Sequence, residues 1–585
     1  MVTTVTARGG KRAMRNIESG PPLAASATLP TVSHVNEMLQ NESQTLEEAT
    51  SSIQPDSKTR RYDRQLRLWA ASGQAALESS RILVTSASAT STSVLKNLVL
   101  PGIGHFTILD PALTTPADAG NNFFLNADAS IGKSRAEEAV PLLRELNESV
   151  DGVADVRELE SLLQTDEGRR HITSFSLVIA HNLPAKTLEQ LSSLLWLDPT
   201  YPPLIVIRSA GFLADFYIQF HEHCIIESHS ETPPSLRLTK PFPALQAWAD
   251  SIDYDKLDPT EHAHIPFALI LIKEADKWRA EHDGALPRTY PEQKAFKAAV
   301  RARQRKLDEE NFEEAEAQAV RMWSEKNVPS DIQALLDLPP VDVRTSPNAA
   351  FHALLQTLAL FVKDPAGPGC LPLTSTLPDM KTDTESYVKL QRMYKEQART
   401  ENVRRAVLAL DPLVLKSHQA LFKDILKKNF PDVHIDEAVV DAFVKNAHHI
   451  KLLRGRQFGA FDRDAGALAS AVQIFPKETA THLALSALGA LLGRGTEPSA
   501  VTAEALTTEV QALVGQGIEL PSDELDAAVG EIARAPTADL PNTAAFLGGM
   551  VAQEAIKMIT KQYVPVNGYC VIDLVDSWTG TIGTP

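Results

Sequence analysis

Cysteine is scarce in this 585-residue chain, which carries only Cys224, Cys370 and Cys570. An odd number of widely spaced thiols excludes a disulfide framework and a four-cysteine zinc site, and it fits a reducing compartment. Long apolar runs are also lacking. The most apolar stretches, Ile265 to Ile272 and Leu483 to Gly493, fall short of the roughly 20 residues needed to cross a bilayer, so a soluble chain is expected. Positive charge is in deficit. The 57 Lys and Arg face 74 Asp and Glu, a formal net charge of −17, which argues against a generally basic, nucleic-acid-seeking surface. What is present is ordinary globular composition, 43% hydrophobic and 22% charged, in a length that implies more than one domain.

Residues 1–57 are rich in Ser, Thr, Ala, Pro, Glu and Gln without a sustained period, and read as a disordered extension. Arg8, Lys11, Arg12 and Arg15 precede any acid, as in a transit peptide, but acids from Glu18 onward oppose that reading. From 58 to 240, short β-rich runs alternate with amphipathic stretches. Ile82 to Thr85, His105 to Leu109, Val153 to Leu159, Phe175 to Ala180 and Leu204 to Arg208 are predicted strands. Thr92 to Leu100, Ser134 to Asn147 and Ala185 to Trp196 are the intervening helices, and the order predicts a mostly parallel, doubly wound α/β sheet. Residues 241–530 read as a large, mainly helical insertion interrupted by proline-rich segments. Residues 531–585 offer a helix from Ala544 to Lys561 and an apolar run from Tyr569 to Val575 that return to the first sheet.

The segment from Ile82 to Asp110 has the layout of a nucleotide-binding βαβ unit, with strand, loop, helix, a Gly102-Ile103-Gly104 turn, strand and terminal Asp. Such units place glycines in the first loop so that the backbone can approach phosphates at the helix N-terminus. Here Ser86, Ala87, Ser88, Ala89, Thr90 and Ser91 occupy those positions. A Cβ at each one hinders both the positive φ angles and the close approach, which predicts weakened or lost phosphate binding.

A set of motifs carries a specific resemblance. The run Tyr62 to Trp69 (YDRQLRLW), Pro101 to Gly104, Ala119 to Leu125 with its Asn121-Asn122-Phe123-Phe124 core, and Ile131-Gly132-Lys133 are similar to the adenylation fold of ubiquitin-like-protein activating enzymes. Pro287 to Tyr290, Glu310 to Ala315 and Phe546 to Glu554 extend the resemblance, which is to the regulatory, non-catalytic subunits of the neddylation branch and spans roughly residues 58–585. It implies a Rossmann-like adenylation fold with a catalytic-cysteine-domain-like insertion that lacks the cysteine. It also implies a heterodimer with a catalytic subunit, a ubiquitin-like modifier as the second partner, and cullin modification as the downstream outcome. Cytoplasm and nucleus are the expected locations, with no nucleic acid or membrane partner.

Against active members the chain departs at several points. The GxGGxG loop is replaced by the Ser86, Ser88, Ala89 and Ser91 segment, the Arg-Gln pair that meets the phosphates by Asn121 and Asn122, and no carboxylate lies between Val178 and Leu188 to hold magnesium. The resemblance therefore implies a pseudo-enzyme that binds no cofactor or metal alone, with ATP and Mg in the partner. Arg64, in the YDRQ motif, is the candidate catalytic residue, supplied in trans to the partner's ATP as an arginine finger. Read from spacing alone, an Arg early in an amphipathic helix is an ordinary surface residue. Asp110 and Lys133 match ligand positions of active halves and are expected to be remnants that support the fold; Arg67 is expected to be structural. Two alternatives stay open here, a self-sufficient modifier-adenylating enzyme of the same superfamily and a divergent Rossmann dehydrogenase.

His221, His223, Cys224 and His229 fall on a predicted hairpin, where His221 and His223 would share a face, but no closed ligand set is evident and exposed strand histidines are expected. The basic run Lys294 to Lys306 precedes an acidic one, Asp308 to Glu316, which predicts a solvated face with internal ion pairs.

Overall fold

A computed structural model describes residues 56–230, 235–323, 328–364, 369–402, 421–515 and 518–584. All of the N-terminal extension but its last two residues lies outside that set. The chain divides into two compact units, Met1–Asp63 and Arg64–Pro585. In the first, the described part includes a short helix, Ser57–Arg61, capped by the Asp56 carboxylate, which accepts a 2.6 Å hydrogen bond from the Thr59 N–H.

The second unit is built on an eight-stranded sheet. In chain order the strands are β1 (Arg81–Val84), β2 (His105–Leu109), β3 (Asp151–Asp155), β4 (Leu177–His181), β5 (Leu204–Ala210) and β6 (Leu213–Gln219). A small separate pair follows, β7 (Glu222–Ile225) and β8 (Lys451–Arg454), and the main sheet is completed by β9 (Tyr569–Asp573) and β10 (Trp578–Ile582). The spatial order is β10-β9-β6-β5-β4-β1-β2-β3. β1 to β5 run parallel, whereas β6, β9 and β10 are antiparallel additions.

The central strands are largely apolar because both faces are covered. Ile82, Val84, Phe106, Ile108, Ile179 and Ile207 point to one layer, filled by the helices Ala89–Val99, Arg135–Glu145 and Pro541–Thr560. Leu83, Leu109, Val178, Ala180 and Val206 point to the other, filled by Leu159–Gln164, Asp166–Thr173 and Ala185–Trp196. The stripe Leu547, Val551, Ala555 and Met558 is thus spent on the chain's own core. Pro541–Thr560 approaches Ala89–Val99 so closely that a Cβ on Gly548 would meet the Ser93 hydroxyl at 2.2 Å.

The helices between 241 and 530 do two different jobs. Those of 243–322 share one apolar core with the helix Thr384–Asn402, around Phe267, Phe296, Phe312 and Tyr394, and those of 330–363 and 421–445 form another, around Phe351, Phe361, Phe422 and Phe443. Those from Ala465 onward, Pro476–Gly493 above all, pack onto β6, β9 and β10 in a shared core with Tyr217, Tyr569 and Val571.

Several local expectations need correction. The run Val153 to Leu159 is not one strand: β3 ends at Asp155, whose carboxylate is clamped by Arg157, and Leu159 starts a helix with Leu162 and Leu163 on its buried face. The Ala89–Val99 helix begins earlier than Thr92, so Ala89, Thr90 and Ser91 form its first turn and are not loop. Nor is there a local hairpin around His221 to His229. Its strand, β7, pairs with β8 far along the chain, Glu222 opposite Arg454 and Cys224 opposite Leu452.

Candidate functional site

Parallel α/β sheets bind ligands at the C-terminal ends of their strands, where adjacent connections leave on opposite faces. Here that place lies at β4, β1 and β2. It holds a cavity of about 450 Å³ lined by Thr85, Ser86, Ser88, Asp110, Arg135, His181, Arg208, Ser209 and Asp539, among others.

The loop after β1 is filled from within. Ser88 caps the Ala89–Val99 helix by accepting from the Ser91 N–H at 3.1 Å. Its hydroxyl also lies 3.0 Å from that of Ser91, which is itself 3.0 Å from the Ser86 hydroxyl. At the end of β4, in a stretch with no carboxylate between Val178 and Leu188, stands His181. Its Nδ1 is 2.8 Å from the Ser88 hydroxyl and its Nε2 is 2.9 Å from the Ser209 hydroxyl. Burial pushes the His181 imidazole below its ordinary pKa, so the ring is held neutral between two hydroxyls.

In the first helical turn the buried N–H of Thr90 is met by a carboxylate of the chain itself. Asp539 accepts from the Thr90 N–H at 3.1 Å and from the Thr90 hydroxyl at 2.6 Å. Its position is set by the turn between β5 and β6. Gly211, at φ +60°, donates its N–H to the Ala538 carbonyl at 3.1 Å and accepts from the Thr543 hydroxyl at 2.7 Å.

Asp110, the expected ribose acid, is likewise committed. It accepts from the Ala87 N–H at 2.7 Å and the Ala112 N–H at 2.9 Å, and it pairs with Arg135 at 2.9 Å. Arg135 also holds Asp118 at 3.0 Å. Asn122, standing for one of the phosphate-contacting residues, is buried: its amide donates to the Ala87 carbonyl at 2.9 Å and accepts from the Thr92 hydroxyl at 2.9 Å. Lys133 points away to a half-exposed pair with Glu138 at 3.5 Å. Asp539, His181 and Arg135 escaped sequence reasoning; only the fold brings them to the loop.

Residues 62–181 match the ThiF family. A NEDD8-activating enzyme E1 regulatory subunit of Xenopus laevis is 34% identical over 527 residues, covering 87% of this chain and 96% of that protein. The one of Danio rerio is 32% identical, covering 90% and 98%. The regulatory subunit AXR1 of Arabidopsis thaliana is 31% identical, covering 91% and 97%. The chain belongs to the NEDD8-activating enzyme E1 regulatory subunit family. The dehydrogenase alternative falls with that finding.

Arg64, expected to act in trans, is placed apart from these residues. It lies at the start of the Asp63–Glu78 helix, exposed, away from the chain's own cleft, with no hydrogen bond or ion pair among the described residues. A break at Trp69 and Ala70 divides this helix, Ala70 adopting φ +56°. The break is pinned. The Gln562 amide donates to the Trp69 carbonyl at 3.0 Å, and the Trp69 indole donates to Gln74, whose amide reaches the Pro101 carbonyl at 3.0 Å.

The three cysteines are all buried, with Cys224 and Cys570 pushed up to about 12 by burial. Such thiols are protonated and poorly nucleophilic. The β7 pleat splits the histidine cluster. His221 stacks on Trp196 at 3.8 Å and His223 is buried near Phe220, while Cys224 faces the other way. The basic segment pairs with the acidic run through Arg301 and Glu313 at 2.6 Å, whereas Arg303 reaches the buried Glu274 of the helix Phe267–Glu281 at 2.9 Å.

Proposed function

We propose that this chain is the pseudo-enzyme half of a heterodimeric neddylation activating enzyme. It supports ATP-dependent adenylation of a ubiquitin-like modifier, and its transfer to a thioester, both carried out by a catalytic partner subunit. The carrying observation is the occupation of the phosphate cradle by Asp539 on Thr90. An anionic carboxylate on the first turn of a helix competes for the same N–H groups and the same end of the helix dipole that a phosphate needs. His181 in place of a metal carboxylate supports the same reading, and so do the buried, protonated thiols of Cys224 and Cys570. ATP and Mg then belong to the partner, as does the thioester cysteine.

Arg64 is the group this chain contributes. A free, permanently charged guanidinium on a pinned helix is suited to reach a nucleotide held by another subunit, where it would neutralise charge developing on the phosphates. The reading places the protein in the cytoplasm and nucleus, with neither nucleic acid nor membrane as partner. A self-sufficient adenylating enzyme is disfavoured by the same filled cradle.

Modifier-dependent ATP–pyrophosphate exchange tests the proposal, run for this chain alone, the catalytic partner alone and the mixture. Exchange is expected in the mixture only; exchange by this chain alone would overturn it.

A further inference from the structure

Strand alternation and one helix bring together three side chains that the adenylation reading does not use. Glu222 and Cys224 lie two residues apart on β7, so their side chains share a face. His352 comes to that face from the helix Ala349–Lys363. One carboxylate oxygen of Glu222, the Cys224 sulfur and one imidazole nitrogen of His352 all lie within 4.8 Å of one another. The imidazole Nε2 and the Glu222 Oε2 are 2.8 Å apart.

We propose that Glu222, Cys224 and His352 form a binding site for a single Zn²⁺ ion that ties β7 to the helical insertion. An oxygen, a sulfur and a nitrogen donor in one cluster suit a borderline-soft divalent ion and do not suit Mg²⁺ or Ca²⁺, which demand oxygen ligands. Three protein ligands leave the fourth tetrahedral position to water. That water has a way in, because the Glu222 side chain keeps 22% of its surface exposed although His352 keeps only 3%. Apolar neighbours close the other sides: Cys224 belongs to the core of Phe351, Leu354 and Phe443.

The cation balances what is otherwise an uncomfortable group of donors. Burial and the Glu222 charge push the Cys224 thiol up to about 12, so it stays protonated without a metal. Zn²⁺ would take the place of the thiol proton, which goes to solvent. His352 would give up its hydrogen bond to Glu222 and offer the Nε2 lone pair from its Nδ1–H tautomer. Arg454, opposite Glu222 on β8 and 3.5 Å from its carboxylate, is 55% exposed and free to turn toward water. Two anionic ligands and a neutral imidazole leave the bound ion with no net charge. Because a proton is released, affinity rises with pH.

The site is independent of the neddylation reading, and its test needs no catalytic activity. The full-length chain, freed of metal by chelation, is titrated with Co²⁺ as a spectroscopic probe for Zn²⁺. One equivalent is expected to produce a thiolate-to-cobalt band in the near ultraviolet, which Zn²⁺ then abolishes by displacement. Cys224→Ser should lose the band outright. Glu222→Gln and His352→Gln should weaken Co²⁺ binding by about tenfold or more, each variant being checked for folding by circular dichroism. Absence of the band in the folded wild-type chain would overturn the proposal, as would its persistence in Cys224→Ser. Should Cys224→Ser fail to fold, unchanged Co²⁺ affinity in the two other variants would overturn it equally.

Discussion

The Asp539 carboxylate rests on Thr90, taking its backbone N–H at 3.1 Å and its hydroxyl at 2.6 Å across 449 residues of sequence. The contact closes the first turn of the helix that follows β1, the turn at which related nucleotide sites receive phosphate. It acts as a capping interaction supplied from another part of the chain.

Removing that carboxylate should cost stability without creating a nucleotide site. Asp539→Ala is expected to destabilise the chain by about 1 kcal/mol, the scale of a lost helix cap, in denaturant titration. Calorimetry should still detect no ATP binding to the isolated variant, because the Ser86, Ser88 and Ser91 hydroxyls and His181 still fill the loop. ATP binding by Asp539→Ala would mean that this carboxylate alone keeps nucleotide out.

Arg64→Ala should lower exchange by the mixed subunits by roughly a hundredfold, the scale of losing one charged transition-state donor. Its exposure and lack of partners among the described residues predict an unchanged melting temperature and an intact complex in gel filtration. Arg64→Lys should not restore full activity, since a point charge lacks the planar fork. Equal activity of Arg64→Ala and wild type would remove the proposed role.

The cluster of buried Asp215 and His482 with half-buried Arg208 and Asp462 predicts a pH dependence of stability. His482 Nδ1 is 2.9 Å from Asp215 and its Nε2 is 2.6 Å from Asp462. Burial pushes this imidazole down and Arg208 adds to that, yet the two carboxylates outweigh them and its pKa lies above the ordinary 6.5. A raised folded-state pKa means that the contribution is complete below the unfolded value and is lost as pH rises through the folded one. Melting temperature is therefore expected to fall across an interval above pH 6.5, and His482→Gln should remove that component of the slope. A profile identical in wild type and variant would refute the assignment.

Gly548 is needed for its missing side chain. Gly548→Val should destabilise by about 1–3 kcal/mol in urea titration, as overpacking does, because Ser93 already lies within 2.2 Å of an added Cβ. Ser93→Gly in the same background is expected to recover part of the loss.

Most of the parallel sheet was legible because β1, β2, β4 and β5 are short apolar runs set between amphipathic helices. The end of β3 was not. Val153 to Leu159 contains enough apolar residues to look like one strand, and only the Arg157–Asp155 clamp and the packing of Leu159, Leu162 and Leu163 divide it. The pairing of β7 with β8 was equally hidden, since a strand's partner more than two hundred residues away leaves no local periodicity.

By itself the sequence determined what the site lacks: loop glycines, a carboxylate between Val178 and Leu188, and paired cysteines for zinc. Such losses are properties of residue type at a motif position, and they need no coordinates. What replaces them was decided by the tertiary structure. Asp539 reaches Thr90, His181 bridges Ser88 and Ser209, and Glu222, Cys224 and His352 converge only because the sheet and insertion fold residues from distant segments together. The physical reason is that a buried polar group must find its partner in space, and proximity in space is created by packing the apolar faces of elements whose separation along the chain carries no information about it.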